Sequence, residues 1–320
     1  MSLRSIPHAK TALPSRQLGN EGAKAFSMAK PRKTGYRIAH FGDLHLRSND
    51  GDFRHALAMV DDAVQNGADH LVFSGDILDD ADAGVLKSFV GELRARNLAH
   101  AAALTVVPGN HDIFPTCWPP TWRSFARTIS RTAQSNFDRF ARLTAWSRRG
   151  VAADELFANA PYPFAKSLSD DVAVVGLDST IKENCRPTSW AAGELSEEDI
   201  NEVEKFFQKR RTAVHRIVVM HHYPFADFEN VHPWVNMKFE EPDAATVRNW
   251  LGWANATLVL CGHIHDNRDR RSADGFRVIC TDSVSTYADG KRHHEGLCYR
   301  LIELHATGRV SITDQVVEAV

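Results

Sequence analysis

Five times along this chain a short apolar run stops at a cluster of polar, chemistry-bearing residues. Arg37–Phe41 leads into Asp43-Leu44-His45, Leu71–Ser74 into Gly75-Asp76, and Leu104–Val107 into Gly109-Asn110-His111-Asp112. Further on, Arg216–Met220 leads into His221-His222, and Thr257–Cys261 into Gly262-His263-Ile264-His265. Runs of this length, closed by Gly and Asp, read as buried strands. Between the first three lie two helical patterns, Phe53–Gln65, with Ala56, Met59, Val60 and Ala63 on one face, and Ala83–Arg96. A β-α-β-α-β series predicts parallel pairing with right-handed crossovers. An open α/β sheet gathers its ligands at the carboxyl ends of its strands, so the first three motifs are expected to converge.

The five motifs supply carboxylate, imidazole and amide groups but no thiolate. That donor set suits two hard-to-borderline divalent metals. Singly, the motifs differ in weight. Asp-x-His arises by chance in chains of this size, and Gly-Asp is a common turn dipeptide. Gly-Asn-His-Asp is sharper, with on the order of one chance occurrence per thousand such chains at background residue frequencies. The Asp43-x-His45 and His263-x-His265 spacings would each put two side chains on one side of an extended strand end.

In order and in sequence, the five motifs resemble those of the calcineurin-like metallophosphoesterase superfamily, from Tyr36 to the C-terminus. The resemblance implies a four-layer α/β-β/α sandwich of two mixed β-sheets with helices outside, plus a helical cap insertion at about 114–162. The later segments suit it. Val172–Leu177 reads as a strand, Glu197–Arg211 as a helix capped by Ser196, and Ala244–Trp253 as a short helix. Phe276–Thr281, Leu297–Leu304 and Arg309–Thr313 form a β-rich end separated by Asp-Gly and Thr-Gly turns.

Carried over residue by residue, the resemblance gives one metal Asp43, His45, Asp76 and His265, and the other Asp76, Asn110, His221 and His263. Asp76 would bridge, because two cations about 3.5–4 Å apart need a shared anion to offset their repulsion. His111 is the residue expected to stabilise the transition state or protonate the leaving group, and Asp112 its orienting partner. Many relatives read His-His-Pro-Pro at the fourth motif, where this chain has His221-His222-Tyr223-Pro224. His221 directly follows the strand and takes the metal role here, leaving His222 for structure or substrate contact. Oxygen and nitrogen ligands admit Mn, Fe, Zn, Co or Ni.

The implied reaction is hydrolysis of a phosphate ester, with hydroxide generated from metal-bound water. A phosphodiester such as a cyclic nucleotide or glycerophosphodiester is the leading substrate, because the hydrolases of these esters are similar in length and motif pattern. The alternatives are a phosphomonoesterase and a nucleic-acid-processing nuclease. Residues Trp122 to Arg149 carry Arg123, Arg127, Arg131, Arg139, Arg142, Arg148 and Arg149 against one acid, Asp138. They read either as a basic cap for the distal part of a substrate or as a solvated helix whose Phe125, Phe137, Phe140 and Trp146 pack into the core.

Composition narrows the setting. A formal charge of −2 gives no global argument for binding nucleic acid or membranes. No apolar run approaches the ~18 residues of a membrane span. The five cysteines (117, 185, 261, 280 and 298) form no C-x-x-C pair, and the odd count leaves one over in any disulfide framework, which points to a reducing, cytoplasmic home. Residues 1–35, rich in Ser, Ala, Lys and Arg with one acid, Glu21, are expected to be a disordered tail before a single catalytic domain at 36–320. A small phosphate ester is the expected partner, and the oligomeric state is not legible.

Overall fold

A computed structural model of the protein describes residues 35–48, 50–114, 122–148, 161–180, 190–225, 239, 244–282 and 297–318. The predicted N-terminal tail, apart from Gly35, lies outside these residues, as do stretches 115–121 and 149–160 of the predicted insertion.

The chain opens with β1 (Tyr36–Phe41), α1 (Asp50–Gln65), β2 (His70–Ser74), α2 (Ala83–Ala95), β3 (Leu104–Val107), the single turn α3 (Asn110–Ile113) and α4 (Trp122–Leu143). It continues through β4 (Phe164–Ser167), β5 (Val172–Gly176), α5 (Glu197–Lys209), β6 (His215–Val219), α6 (Ala244–Trp253) and β7 (Leu258–Cys261). The last strands are β8 (Arg268–Arg271), β9 (Arg277–Cys280), β10 (Leu297–Leu304) and β11 (Val310–Val317). Two mixed sheets result, ordered β11-β10-β1-β2-β3 and β4-β5-β6-β7-β9-β8. In the first, β1, β2 and β3 run parallel, as the alternating pattern predicts, and β10 closes antiparallel onto β1. In the second, β5, β6, β7 and β9 run parallel, with β4 and β8 antiparallel at the edges.

Period-2 alternation shows how the second sheet is covered on both faces. Val172, Val174, Ile217, Val219, Leu258 and Leu260 join one core, shared with the first sheet and helices α1, α2 and α4. The intervening Ala173, Val175, Val218, Met220, Val259 and Cys261 join the other core, under α5 and α6. In α1 the predicted face of Ala56, Met59, Val60 and Ala63 is buried. Ser196 caps α5 by accepting from the Asp199 N–H at 3.1 Å, and Asp199 reaches back to the Ser196 N–H, a reciprocal capping box.

Two strands have no counterpart in the apolar pattern. In β8, Arg268, Asp269, Arg270 and Arg271 are all charged, which suits an exposed sheet edge that must not pair with another chain. In β4 the interruption is Lys166, fully buried, whose ammonium donates to the carbonyls of Ala101 (3.0 Å), Leu104 (2.5 Å) and Ser147 (3.0 Å). It thereby ties the edge of the second sheet to the start of β3. Burial and the nearby Arg148 guanidinium push its pKa well down. The three acceptors oppose that shift, because only the protonated amine has three donors.

In the insertion, α4 packs on α2 and α3, and Phe137 and Phe140 enter the core. Arg131 and Arg142 are exposed, whereas Arg148 is buried, donating to the Tyr162 hydroxyl at 3.2 Å, to Thr144 at 3.0 Å and to the Ala141 carbonyl. Arg148 is therefore spent inside the fold and is not a cation facing substrate, contrary to the cap reading for that residue. The side chains of Arg123, Phe125, Arg127 and Arg149 lie outside the description.

Lys166→Met should keep the bulk of the side chain but strand buried carbonyls, lowering stability by about 2–4 kcal/mol. A chemical-denaturation midpoint unchanged from wild type would show that the ammonium is not what joins the sheets.

Candidate metal centre

Each of the five motifs leaves the carboxyl end of a parallel strand. Asp43 and His45 follow β1, Asp76 follows β2, Asn110 follows β3, His221 follows β6, and His263 and His265 follow β7. The first three strands belong to one sheet and the last two to the other, so the site is assembled across both. Backbone bonds zip the first two loops together: Asp43 N–H to Gly75 O at 3.2 Å, His45 N–H to Asp76 O at 3.0 Å and Leu46 N–H to Ile77 O at 2.8 Å. The sheets are joined at the site by His221 Nδ1–H, which donates to the Ser74 carbonyl at 2.9 Å, and by the His263 N–H, which reaches the Asp43 carboxylate at 2.9 and 3.0 Å.

The backbone here is not extended. Asp43 (φ 53°), His45 (44°), Asp76 (48°), His263 (77°) and His265 (49°) all sit in the left-handed region. The other non-glycine residues so placed among those described are Asn97 and Asn255. The expectation of alternate residues on one side of a strand end is thus overturned, since β1 stops at Phe41 and β7 at Cys261. The pairs face the same centre because successive left-handed turns aim them there. Residues outside glycine pay on the order of 1–3 kcal/mol each for such backbone and cluster where function requires it. Glycines permit the close approach: a side chain at Gly109 would strike the Asp76 carboxylate, and one at Gly262 the Asp43 carboxylate.

The side chains form two adjoining clusters. In one, His45 Nε2 and His265 Nε2 are 3.1 Å apart, and Asp43 Oδ1 lies 3.5 Å from His265 Nε2. In the other, His221 Nε2 lies 3.1 Å from Asn110 Oδ1 and 3.2 Å from His263 Nδ1. Asp76 stands between them, its Oδ2 3.3 Å from His221 Nε2 and 3.9 Å from His45 Nε2. Its Oδ1 accepts the His111 N–H at 2.8 Å. All seven expected ligands are therefore brought together, with His222 grouped beside His221 and His263, and Asp79 and His111 beside His45.

The donor chemistry fits cations. Because His221 Nδ1–H donates to Ser74, its Nε2 is the atom turned toward Asp76 and Asn110 Oδ1, both acceptors, where it carries a proton or, once that is displaced, a metal ion. Such a convergence holds together only around positive charge. Burial alone would lower the His221 pKa, but the Asp76 and Asp43 carboxylates outweigh it and raise it to about 9. For Asp43 and Asp76 burial pushes up, and the surrounding imidazoles bring both below the usual carboxylate range. The side chains of Asp43, His45 and His265, and those of Asp43, Asp76 and His221, can each gather around one ion.

A calcineurin-like phosphoesterase family model matches residues 36–267, more than half of the sequence. The chain belongs to that family. No curated protein matches it significantly. Among solved structures, a dimetal phosphatase from Danio rerio is similar with a TM-score of 0.58 at 13% identity, over 89% of this chain and 98% of that one. The purple acid phosphatase PPD1 from yellow lupin is similar with a TM-score of 0.52 at 13% identity, over 90% of this chain and 54% of the other. At such identity these likenesses show the calcineurin-like sandwich fold alone. The family uses two divalent metals, and the clusters described above are where this phosphoesterase could hold them.

The two remaining predicted residues lie beside the clusters. The His111 ring packs edge-on against His45 (centroids 4.7 Å apart), and its Nδ1–H donates to the Asp79 carbonyl at 2.8 Å. Asp112 accepts from the N–H groups of Leu78 and Gly109, both at 2.9 Å, tying the third motif to the loop after Asp76. Burial and the Asp76 charge push the Asp112 carboxyl up to about 7, against those two bonds. His222 is buried beside His263 and accepts or donates at Nδ1 with Ser179 Oγ at 2.8 Å. Sequence reasoning missed Asp79, whose Oδ1 lies 3.6 Å from His45 Nδ1 and whose carboxylate also takes Arg47. It missed Trp190 as well, which stands against His111. An Asp three residues after Gly-Asp and a Trp in a loop carry no periodic signal, so only the fold reveals them.

Gly109→Ala should displace the Asp76 carboxylate and cost metal at both clusters. Elemental analysis after dialysis checks this; two ions retained per chain would mean that the loop yields without moving Asp76.

Proposed function

We propose that this protein is a dinuclear metal-dependent phosphodiesterase. The observation that carries the reading is Asp76 standing between two ligand clusters, with the His111 ring packed against His45 and its Nδ1–H on the Asp79 carbonyl. Asp43, His45, Asp76 and His265 would hold one ion, and Asp76, Asn110, His221 and His263 the other. When bound, such a pair supplies an activated water near neutral pH and neutralises charge on the phosphoryl oxygens.

The chain's own residues do the rest. The Asp79 carbonyl fixes the His111 tautomer by holding Nδ1–H, which leaves Nε2 to face the ester and carry a proton to the leaving oxygen. Burial and the neighbouring His45 pull the His111 pKa down while Asp76 pulls it up, with a net lowering. Asp112 keeps the turn bearing Asn110 and His111 fixed to the Asp76 loop.

A diester is favoured by charge. Arg47 reaches the edge of the site through Asp79, and its Nε and one Nη are spent on that carboxylate at 2.9 and 3.3 Å. A site whose positive charge comes mainly from two ions suits the single negative charge of a diester better than a monoester dianion. The second reading, a phosphomonoesterase, draws on the two structural neighbours, both named as phosphatases. Turnover of bis- against mono-(p-nitrophenyl) phosphate with manganese separates them; faster monoester turnover would overturn the diester reading.

Asp76→Ala should abolish both metal binding and activity, since two cations would face each other without a shared anion. Two ions still bound with near-normal turnover would refute the bridge.

His111→Ala should keep its metal while kcat falls about 10²–10⁴-fold, as for a lost general acid. The loss should shrink for substrates with good leaving groups. Loss of metal in this variant would instead make His111 a ligand.

A further inference from the structure

We propose that Trp190 is a substrate-positioning residue whose indole Nε1–H donates to a phosphoryl oxygen beside His111, an inference that rests on the phosphoesterase reading above. The ring stands edge-on to His111, with centroids 5.3 Å apart at 71°, and also meets Phe114 at 6.5 Å. Its Nε1 is buried and has no hydrogen-bond partner among the described residues. Buried donors are nearly always paired, so a donor left over beside a catalytic centre points to a group that arrives with substrate.

The route of the chain supports this role. Ser179–Thr180 and Gly193–Glu194 meet through a bridge between Thr180 and Gly193 and through the Glu194 N–H on Ser179 O at 3.0 Å, a junction that Trp190 adjoins in sequence. This junction is seated on the fourth motif: Ser179 Oγ meets His222 Nδ1 at 2.8 Å, and a Cβ on Gly193 would come within 2.8 Å of the His222 side chain. Beside that anchored junction the chain presents Trp190 to the third motif, which belongs to the first sheet. Trp190 therefore spans the same junction that the metal ligands span.

The chemistry also needs such a donor. Phosphoryl oxygens are acceptors, and three backbone N–H groups of the motifs are already spent: His111 on Asp76, His263 on Asp43, Gly109 on Asp112. The indole N–H is neutral, rigid and uncommitted, and it adds a hydrophobic wall that keeps water from His111.

The test uses the zinc-loaded full chain labelled with ¹⁵N, with inorganic phosphate as probe. The Trp190 indole cross-peak is identified by its disappearance in Trp190→Phe, which keeps a ring against His111 but removes the donor. Phosphate should move that peak downfield in a saturable way. With metal content unchanged, Trp190→Phe should raise KM for bis(p-nitrophenyl) phosphate by about 10-fold, and more than it lowers kcat, as for one lost bond to a charged group. Trp190→Ala should lower kcat further by removing the wall. An unmoved peak at saturating phosphate, or a wild-type KM in Trp190→Phe with only the alanine variant impaired, would overturn the proposal and leave Trp190 as packing. Absence of metal-dependent turnover in the wild type would sink the phosphoesterase reading instead, while the phosphate-induced shift would still be read.

Discussion

Two carboxylates, Asp43 and Asp76, are held almost without solvent a few ångströms from each other's partners, and the rest of the site is arranged to make that tolerable. Buried anions are costly unless they are hydrogen-bonded and neutralised. The fold supplies the bonds from its own backbone, through His263 N–H to Asp43 and His111 N–H to Asp76. Neutralisation comes partly from the imidazoles around them, which pull both carboxylates below their usual range, and would be completed by cations. The glycine contacts, the left-handed backbone and the cross-sheet bond from His221 to Ser74 all serve to keep these anions in place.

Much of this was legible in the sequence because strand ends are legible. Leu71–Phe73 is apolar and Leu104–Val107 is apolar but for Thr105, as suits parallel strands buried on both faces, and the polar motif after each falls where an α/β sheet exposes its edge. The seven candidate ligands come together for that reason, although they are far apart in the chain. The resemblance to a family added their division between two ions, which no spacing could supply.

What stayed hidden has equally physical causes. β4 contains a lysine, and β8 is wholly charged, so neither shows the apolar run that marks a strand. The left-handed turns at Asp43 and His45 were read as extended backbone because φ leaves no trace in a pattern of residue types. Arg148 looked like its exposed neighbours Arg131 and Arg142, and only tertiary packing distinguishes it. Asp79 and Trp190 act through contacts between segments that sequence separation conceals.

The bond from His221 to Ser74 has a mechanical meaning. It fastens, at the site itself, a seam where two independently hydrogen-bonded sheets meet, and the candidate ligands on either side belong to different sheets. Ions gripping both sides would act as rivets through that seam. Whatever binds only the assembled state stabilises it by mass action, about 2.7 kcal/mol at a free concentration one hundred times its dissociation constant. The resistance of the whole molecule to heat or protease would therefore track the metal supply of its surroundings, and starvation for metal would be felt as fragility before it was felt as lost chemistry.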